Sequence, residues 1–311
     1  MRWIAVLGLT GVIGLFFAHR LVASRPIDAT ISLAAQETST GEPGPVQPAK
    51  LHVGIAQMTS PVTGFRSHQA LAERLGAALN VEVELLTPDS YKAINALLRE
   101  SKLDVAFVCS GGYVAEPDAM DVLAAPLING KMEYFGFIIV PQNSPCRTFS
   151  DLRGKSFLFV EEQSNTGQWF PCKLACHLAG KRGAFFSSTK FTGAHDISIL
   201  AIASNLADGA AVSSNIYDRM IAKEPALKDR IRILEKSPAF PSPPVVVRKT
   251  LPQDMRQRLL RVLVTLHEAD EGREILRGLG FDKFVPAGNE DYGGIEPCTL
   301  GSSCKACHKE K

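Results

Sequence analysis

The last eight residues carry the strongest chemical signal in this 311-residue chain. Cys304-Lys305-Ala306-Cys307-His308 has the C-x-x-C-H arrangement that attaches a c-type haem. Each thiol can form a thioether to a haem vinyl group, and the adjacent imidazole can ligate the iron. The expectation is one covalent haem c on Cys304 and Cys307, with His308 as axial ligand. The plainer alternative is a Cys/His tail that pairs as a disulfide or holds zinc, since Cys298 lies just upstream. Two further places could do chemistry. Cys109 ends an apolar run and precedes Ser110-Gly111-Gly112. A thiolate suits a soft, thiophilic centre better than it suits phosphate, although cysteine is also commonly a small buried hydrophobe. Ser164-Asn165-Thr166-Gly167 follows another apolar run and opens a helical pattern. Unpaired N–H groups at a helix start, flanked by hydroxyls, bind anions without a charged side chain. The same residue types also serve as ordinary N-caps. Cys172, Cys176 and His177 miss the haem string by one residue. On a helix the two thiols share a face, where packing is the expected role and a second haem or a soft metal the alternative.

Haem c attachment requires export, and the amino-terminal sequence fits it. Trp3 to Ala18 is a continuous apolar run after Met1-Arg2, followed by His19, Arg20 and Arg25. This is the layout of a signal peptide, and its length also approaches that of a membrane anchor. Residues 1–25 are therefore read as signal or inner-membrane anchor. Residues 26–50 are rich in Pro, Gly, Ser and Thr; such a stretch cannot bury enough apolar surface to fold, so it reads as a linker. The net charge is +2, and the acids and bases are mixed throughout. No basic block argues for nucleic acid. Seven cysteines do not make a disulfide scaffold in a chain of this length.

Positioning these groups falls to two series of alternating strands and helices. In the first, Leu51–Ala56, Val81–Thr87 and Leu103–Val108 read as strands, and His68–Asn80 and Tyr91–Ser101 as helices. In the second, strands are expected at Lys155–Val160, Gly209–Val212 and Val245–Val247. Helices are expected after Gly167 and at His195–Leu206, Asn215–Glu224, Pro252–Glu268 and Glu271–Leu279. Such repeats predict an α/β fold whose mainly parallel sheets are covered by helices on both faces. Crossing segments near Phe135–Pro141 and Ser237–Val245 would leave a ligand cleft between two lobes, at the carboxyl ends of strands. Nothing resembles a hydrolytic triad, a nucleotide loop or a paired-carboxylate site, so enzyme activity is not expected.

A family likeness rests on Pro61-Val62-Thr63-Gly64-Phe65-Arg66, Tyr91, Leu103-Asp104-Val105-Ala106-Phe107-Val108, Tyr113 and Asp151-Leu152-Arg153-Gly154-Lys155. It continues through Ser164-Asn165-Thr166-Gly167, Gly193-Ala194-His195-Asp196, Ala207-Asp208-Gly209-Ala210-Ala211-Val212 and Asp291-Tyr292. Over 51–295 the chain resembles the phosphonate/phosphite periplasmic binding proteins. The resemblance implies a type II, two-lobed, hinge-closing binder of a small oxyanion. It would have lobe 1 at 51–138 and 243–295, lobe 2 at 139–242, and the tail at 296–311. It implies ligand contacts from Tyr91, Cys109, Ser110 and Tyr113 on one side, with plain packing the alternative for the two tyrosines, and from Ser164, Asn165, Thr166, Gly167 and His195 on the other. His195 matches a ligand-contacting histidine of the family; a structural histidine is the alternative. The cysteine at 109 is similar to that of arsenite-binding members, which work with a sensor kinase. The expected role is therefore sensing of arsenite, phosphite, phosphonate or phosphate in the periplasm, through an inner-membrane sensor kinase. The alternatives are solute delivery to an ABC permease, or haem c electron transfer on a binding-protein scaffold.

Overall fold

The computed structural model describes residues 50–179 and 184–298. The expected signal or anchor, nearly all of the linker, and the haem motif lie outside the described residues. The first lobe opens with β1 (Lys50–Ile55), α1 (Pro61–Leu79), β2 (Glu82–Leu86), α2 (Tyr91–Arg99) and β3 (Val105–Phe107). β1 pairs in parallel with both β2 and β3, as helical crossovers require. α3 (Ser110–Ala115) and β4 (Met120–Leu127) follow, and the chain then leaves through the short β5 (Glu133–Tyr134).

The second lobe contains β6 (Gly136–Pro141), β7 (Ser156–Phe159), α4 (Phe170–Ala179), β8 (Ser188–Phe191) and α5 (His195–Ala203). It is completed by β9 (Gly209–Ser213), α6 (Ser214–Lys223) and β10 (Ile231–Lys236). The chain returns through β11 (Phe240–Pro241) to β12 (Val245–Arg248), α7 (Gln253–Thr265), α8 (Asp270–Leu279) and β13 (Lys283–Pro286) in the first lobe. The two crossing strands pair antiparallel, Phe240 opposite Tyr134, and their rings lie 6.2 Å apart. This two-stranded ribbon is the hinge.

The first lobe's sheet runs in the order β13-β4-β12-β3-β1-β2 and the second's in the order β10-β6-β9-β7-β8. The two-lobed α/β architecture agrees with the sequence reading, but both sheets are mixed rather than mainly parallel. β12 and β13 return antiparallel to their neighbours, as do β6 and β10. β6 and β12 enter their sheets directly from the hinge ribbon, and β10 and β13, although each follows a helix, return beside a strand of opposite direction. The second sheet starts at Gly136, slightly before the lobe boundary expected at 139.

Leu71, Leu75 and Leu79 of α1 pack with Leu259, Leu263, Leu276 and Leu279 of α7 and α8 against one face of the first sheet. In the second lobe, Phe149, Phe157, Phe185 and Phe186 form an aromatic cluster with ring centroids 4.3–6.3 Å apart. α1 begins at Pro61, a full two turns before the helix read from periodicity at His68. Pro61 occupies the first helical turn, where its missing N–H has no partner to lose. Gly64 lies against the Thr59 hydroxyl and interrupts the apolar pattern without interrupting the helix.

Candidate functional site: a polar cluster between the lobes

The strands of each lobe present their carboxyl ends to the other lobe, and the polar residues gather there. β3 delivers Cys109, which is 1% exposed, and α3 starts immediately after it. From the other lobe, β7 delivers the 164–167 turn, and Ser164 accepts a hydrogen bond from the Gly167 amide at 3.0 Å. Ser164 therefore is the N-cap that its residue type allows. The helix it caps opens with a wide π-type turn, Asn165–Trp169, before α4. The wide turn is anchored back on the strand by Val160 N–H donating to the Gly167 carbonyl at 3.1 Å.

These two elements meet directly. Built on Gly111, a Cβ would lie 2.3 Å from the Gln163 carbonyl oxygen and 2.6 Å from the Asn165 nitrogen, so only glycine permits the approach. Asn165 Nδ2 donates to Ser110 Oγ at 3.5 Å. Ser110 Oγ in turn lies 2.6 Å from the Tyr134 hydroxyl, and Cys109 Sγ lies 4.0 Å from it. Tyr134 thus joins the first lobe, the hinge and, through Ser110, the second lobe. Tyr91 N–H donates across the gap to Glu161 Oε1 at 3.2 Å. Asn95 Nδ2 donates to the Gly112 carbonyl at 2.8 Å and reaches Gln163 Oε1 at 3.4 Å.

Several buried polar atoms of α2 and of the 165–169 turn have no partner among the described residues: Tyr91 Oη, Asn95 Oδ1, Thr166 Oγ1 and Gln168 Oε1. Leaving such an atom unsatisfied costs roughly 1–3 kcal/mol. Burial raises the Tyr91 and Tyr134 phenols well above their ordinary range, with Cys109 the next influence on each; both remain protonated donors. His195 is also buried here. Its Nδ1 accepts from the Ser213 amide at 3.0 Å, which leaves the ring proton on Nε2. Its own amide donates to the Met58 carbonyl of the other lobe at 3.0 Å. Burial pushes its pKa down to about 3, so the ring is neutral. None of the side chains named in this cluster is positively charged.

Of the residues expected from sequence, Tyr91, Cys109, Ser110, Ser164 and Asn165 come together with their side chains at the lobe contact, whereas Thr166 is buried beside Gly136 of β6, where a Cβ added to the glycine would meet that of Thr166 at 3.4 Å. Gly167 contributes a tight backbone, with its amide spent on the Ser164 cap. Tyr113 is placed differently: its ring packs edge-on against Tyr292 at 5.3 Å, on the side where Asp121, Glu290 and Asp118 act on its phenol. Tyr134, Asn95 and Gln163 escaped the sequence reading. Asn95 had a usable signal, for it lies one turn after Tyr91 on the buried face of α2 and is fully buried. Tyr134 had none, because a two-residue strand leaves no periodicity to read.

A family model for the ABC transporter, phosphonate, periplasmic substrate-binding protein matches residues 53–292. The chain belongs to that family. It is 25% identical over 226 residues to the phosphonates-binding periplasmic protein of Escherichia coli K12, covering 70% of this chain and 64% of that protein. The chain therefore spans just under two thirds of that relative's length. Its fold is similar to that of a binding protein component of an ABC phosphonate transporter from Pseudomonas aeruginosa, with TM-score 0.74, 18% identity, and coverage of 83% of this chain and 88% of that one. It is equally similar to PhnD1 from Prochlorococcus marinus in complex with methylphosphonate, with TM-score 0.73, 18% identity, and 83% and 99% coverage. An ancestral arginine-binding protein bound to arginine shares the fold more distantly, with TM-score 0.54, 18% identity, and 74% and 97% coverage. The family is one of periplasmic substrate-binding proteins, whereas the fold by itself does not name the ligand. No helix among the described residues is long and apolar enough to cross a membrane.

Proposed function

We propose that this protein is the periplasmic solute receptor of an ABC transporter, closing its lobes on a small phosphonate-class oxyanion and presenting it to an inner-membrane permease. The observation that carries this reading is the set of orphaned, fully buried polar atoms contributed by α2 of one lobe and the 165–169 turn of the other. The Tyr91 and Thr166 hydroxyls can donate to ligand oxygens, while Asn95 Oδ1 can accept from a protonated oxygen or an amine. Because none of the side chains named in the cluster is cationic, charge on the ligand would be met by the main-chain amides of Asn165 and Thr166, the other amides of the Ser164 turn being spent within it. A thermal-shift panel with methylphosphonate, phosphite, phosphate and arsenite tests the proposal, since tight binding raises the melting temperature by mass action. A rise with methylphosphonate or phosphite is expected. No shift with either, together with no heat of binding by calorimetry, would refute the reading.

One observation favours a second reading, arsenite sensing through a sensor kinase. A cysteine sulfur lies within the same cluster, beside Tyr134. A neutral arsenite could exchange one hydroxyl for the Cys109 sulfur, forming an As–S bond and releasing water as the thiol proton joins the leaving hydroxyl. Such a ligand needs no cation and exploits the softness of sulfur. The Cys109→Ser variant separates the two readings: loss of the arsenite response with the phosphonate response retained would favour sensing. The carboxyl-terminal motif supports a separate proposal from spacing alone, covalent haem c at Cys304 and Cys307 with His308 as axial ligand. A reduced-minus-oxidised spectrum of protein from a cytochrome-c-maturing host tests it, and absence of a covalent haem band ends it.

A further inference from the structure

Outside the orphaned cluster, the second lobe grips the first through one acidic and one basic side chain, each placed at a helix end of matching polarity. Asp196, 9% exposed, lies in the first turn of α5. Both of its carboxylate oxygens accept the Ser60 amide, at 2.9 and 3.0 Å, and Ser60 is the N-cap of α1 in the opposite lobe. A negative charge at a helix start is favourable because the unpaired N–H groups there carry partial positive charge. Arg219 of α6 does the complementary thing. Its Nη2 donates at 3.2 Å to the Gly278 carbonyl, in the last turn of α8, where carbonyls lack helical partners. The stem of Arg219 lies over Gly280, at which an added Cβ would meet its Cδ at 2.7 Å and its Cγ at 2.9 Å. Gly280 is also the left-handed cap of α8, with φ 76°, so glycine serves both the cap and the passage of the arginine stem. α1 and α8 pack on one another, and Asp196 acts electrostatically on Arg219, so the two links work as one bipolar contact.

We propose that Asp196 and Arg219 form a closure lock, a pair of positioning residues that sets ligand affinity by stabilising the closed lobes without touching ligand. The affinity part rests on the solute-receptor reading; the closure part does not. Asp196→Asn and Arg219→Met remove one charge each while keeping side-chain size. Ser60→Pro removes the amide that Asp196 accepts and leaves both charges in place; the Ser60 φ of −49° lies near the proline range. Small-angle scattering of unliganded protein should show a larger radius of gyration for all three variants than for wild type. Calorimetry with methylphosphonate should show affinity lower by about tenfold, on the order expected for a partly buried charge at a helix end. Saturating methylphosphonate should restore the wild-type radius. Wild-type radius and affinity in Asp196→Asn and Ser60→Pro would overturn the lock, as would a lowered melting temperature with no change in radius. If methylphosphonate fails to bind the wild type, the solute reading falls, while the unliganded radii still decide the lock.

Discussion

Tyr134 is the residue through which a bound solute can act on the hinge, because it belongs to the ribbon and touches Ser110 from the first lobe. Tyr134→Phe removes one hydroxyl and leaves the Ser110 hydroxyl without its closest partner. The cost of a buried hydrogen bond is roughly 0.5–1.5 kcal/mol. Titration calorimetry with the responding oxyanion should therefore show affinity lower by about tenfold at most. An unchanged affinity would remove Tyr134 from the site. The buried histidines make a separate, pH-based prediction. His195 holds its proton only below about pH 3, and His68 only below about pH 4, in each case chiefly because burial penalises the charged ring. In the unfolded chain both titrate near 6.5. Between those values the unfolded state binds more protons, so stability falls as pH drops from 6.5. Each histidine contributes a slope of up to about 1.4 kcal/mol per pH unit in that window. Urea denaturation of the wild type and of His195→Gln at several pH values checks this; the variant should lose the share of one histidine, up to about 1.4 kcal/mol per pH unit. Equal slopes would show that His195 takes up its proton normally in the folded protein.

The turn from β7 into α4 holds its shape by close packing. A Cβ on Gly167 would lie 2.6 Å from Val160 Cβ, 2.7 Å from its Cγ2 and 2.8 Å from Ser164 Oγ. Valine at 160 cannot rotate away cheaply, being β-branched. Gly167→Ala should therefore destabilise the second lobe by about 1–3 kcal/mol, the usual cost of overpacking, measured as a lower urea midpoint. A neutral result would mean that the turn has slack. The residues of this turn were legible as a site because Ser-Asn-Thr-Gly after an apolar strand is a local pattern. Most strands joined by helical crossovers were legible for a like reason, an apolar pattern with a helix beside it, but β8 was not, being a polar, largely exposed edge strand. β4 was not, since Ala124, Ala125 and Pro126 give it little strand propensity. Its burial comes from pairing with β12 and β13, which are distant in sequence. From sequence alone β6 reads as a crossing segment, because its apolar run begins directly at the hinge. A continuous apolar run reveals a strand even when its partners are remote, as in Val245–Val247 of β12, whereas a polar edge strand such as β8 or one of low propensity such as β4 leaves no such trace.

Closure also requires one narrow approach of main chain to main chain, and that makes it testable apart from the ligand's identity. Gly111 lies in the first lobe, while the atoms its Cβ would strike, the Gln163 carbonyl oxygen and the Asn165 nitrogen, belong to the second. Both are main-chain atoms held by their own lobe, Asn165 by the capped turn and Gln163 by its amide donating to Glu161 Oε2. Neither can swing aside as a flexible side chain would. Alanine at 111 is compatible with α3, which is helical there, so the first lobe should fold as before. The clash arises only when the lobes meet. Gly111→Ala should thus retain the unfolding transition of each lobe, enlarge the radius of gyration in solution, and lower affinity for the responding oxyanion by tenfold or more. The signature is dissociation of the two effects: a local packing error would lower stability, whereas a propped-open hinge lowers affinity and expands the molecule at nearly constant stability. Scattering and calorimetry on the same preparation read both. A compact variant with wild-type affinity would mean that the lobes bind their solute without the Gly111 contact, and closure would then have to be sought along another seam.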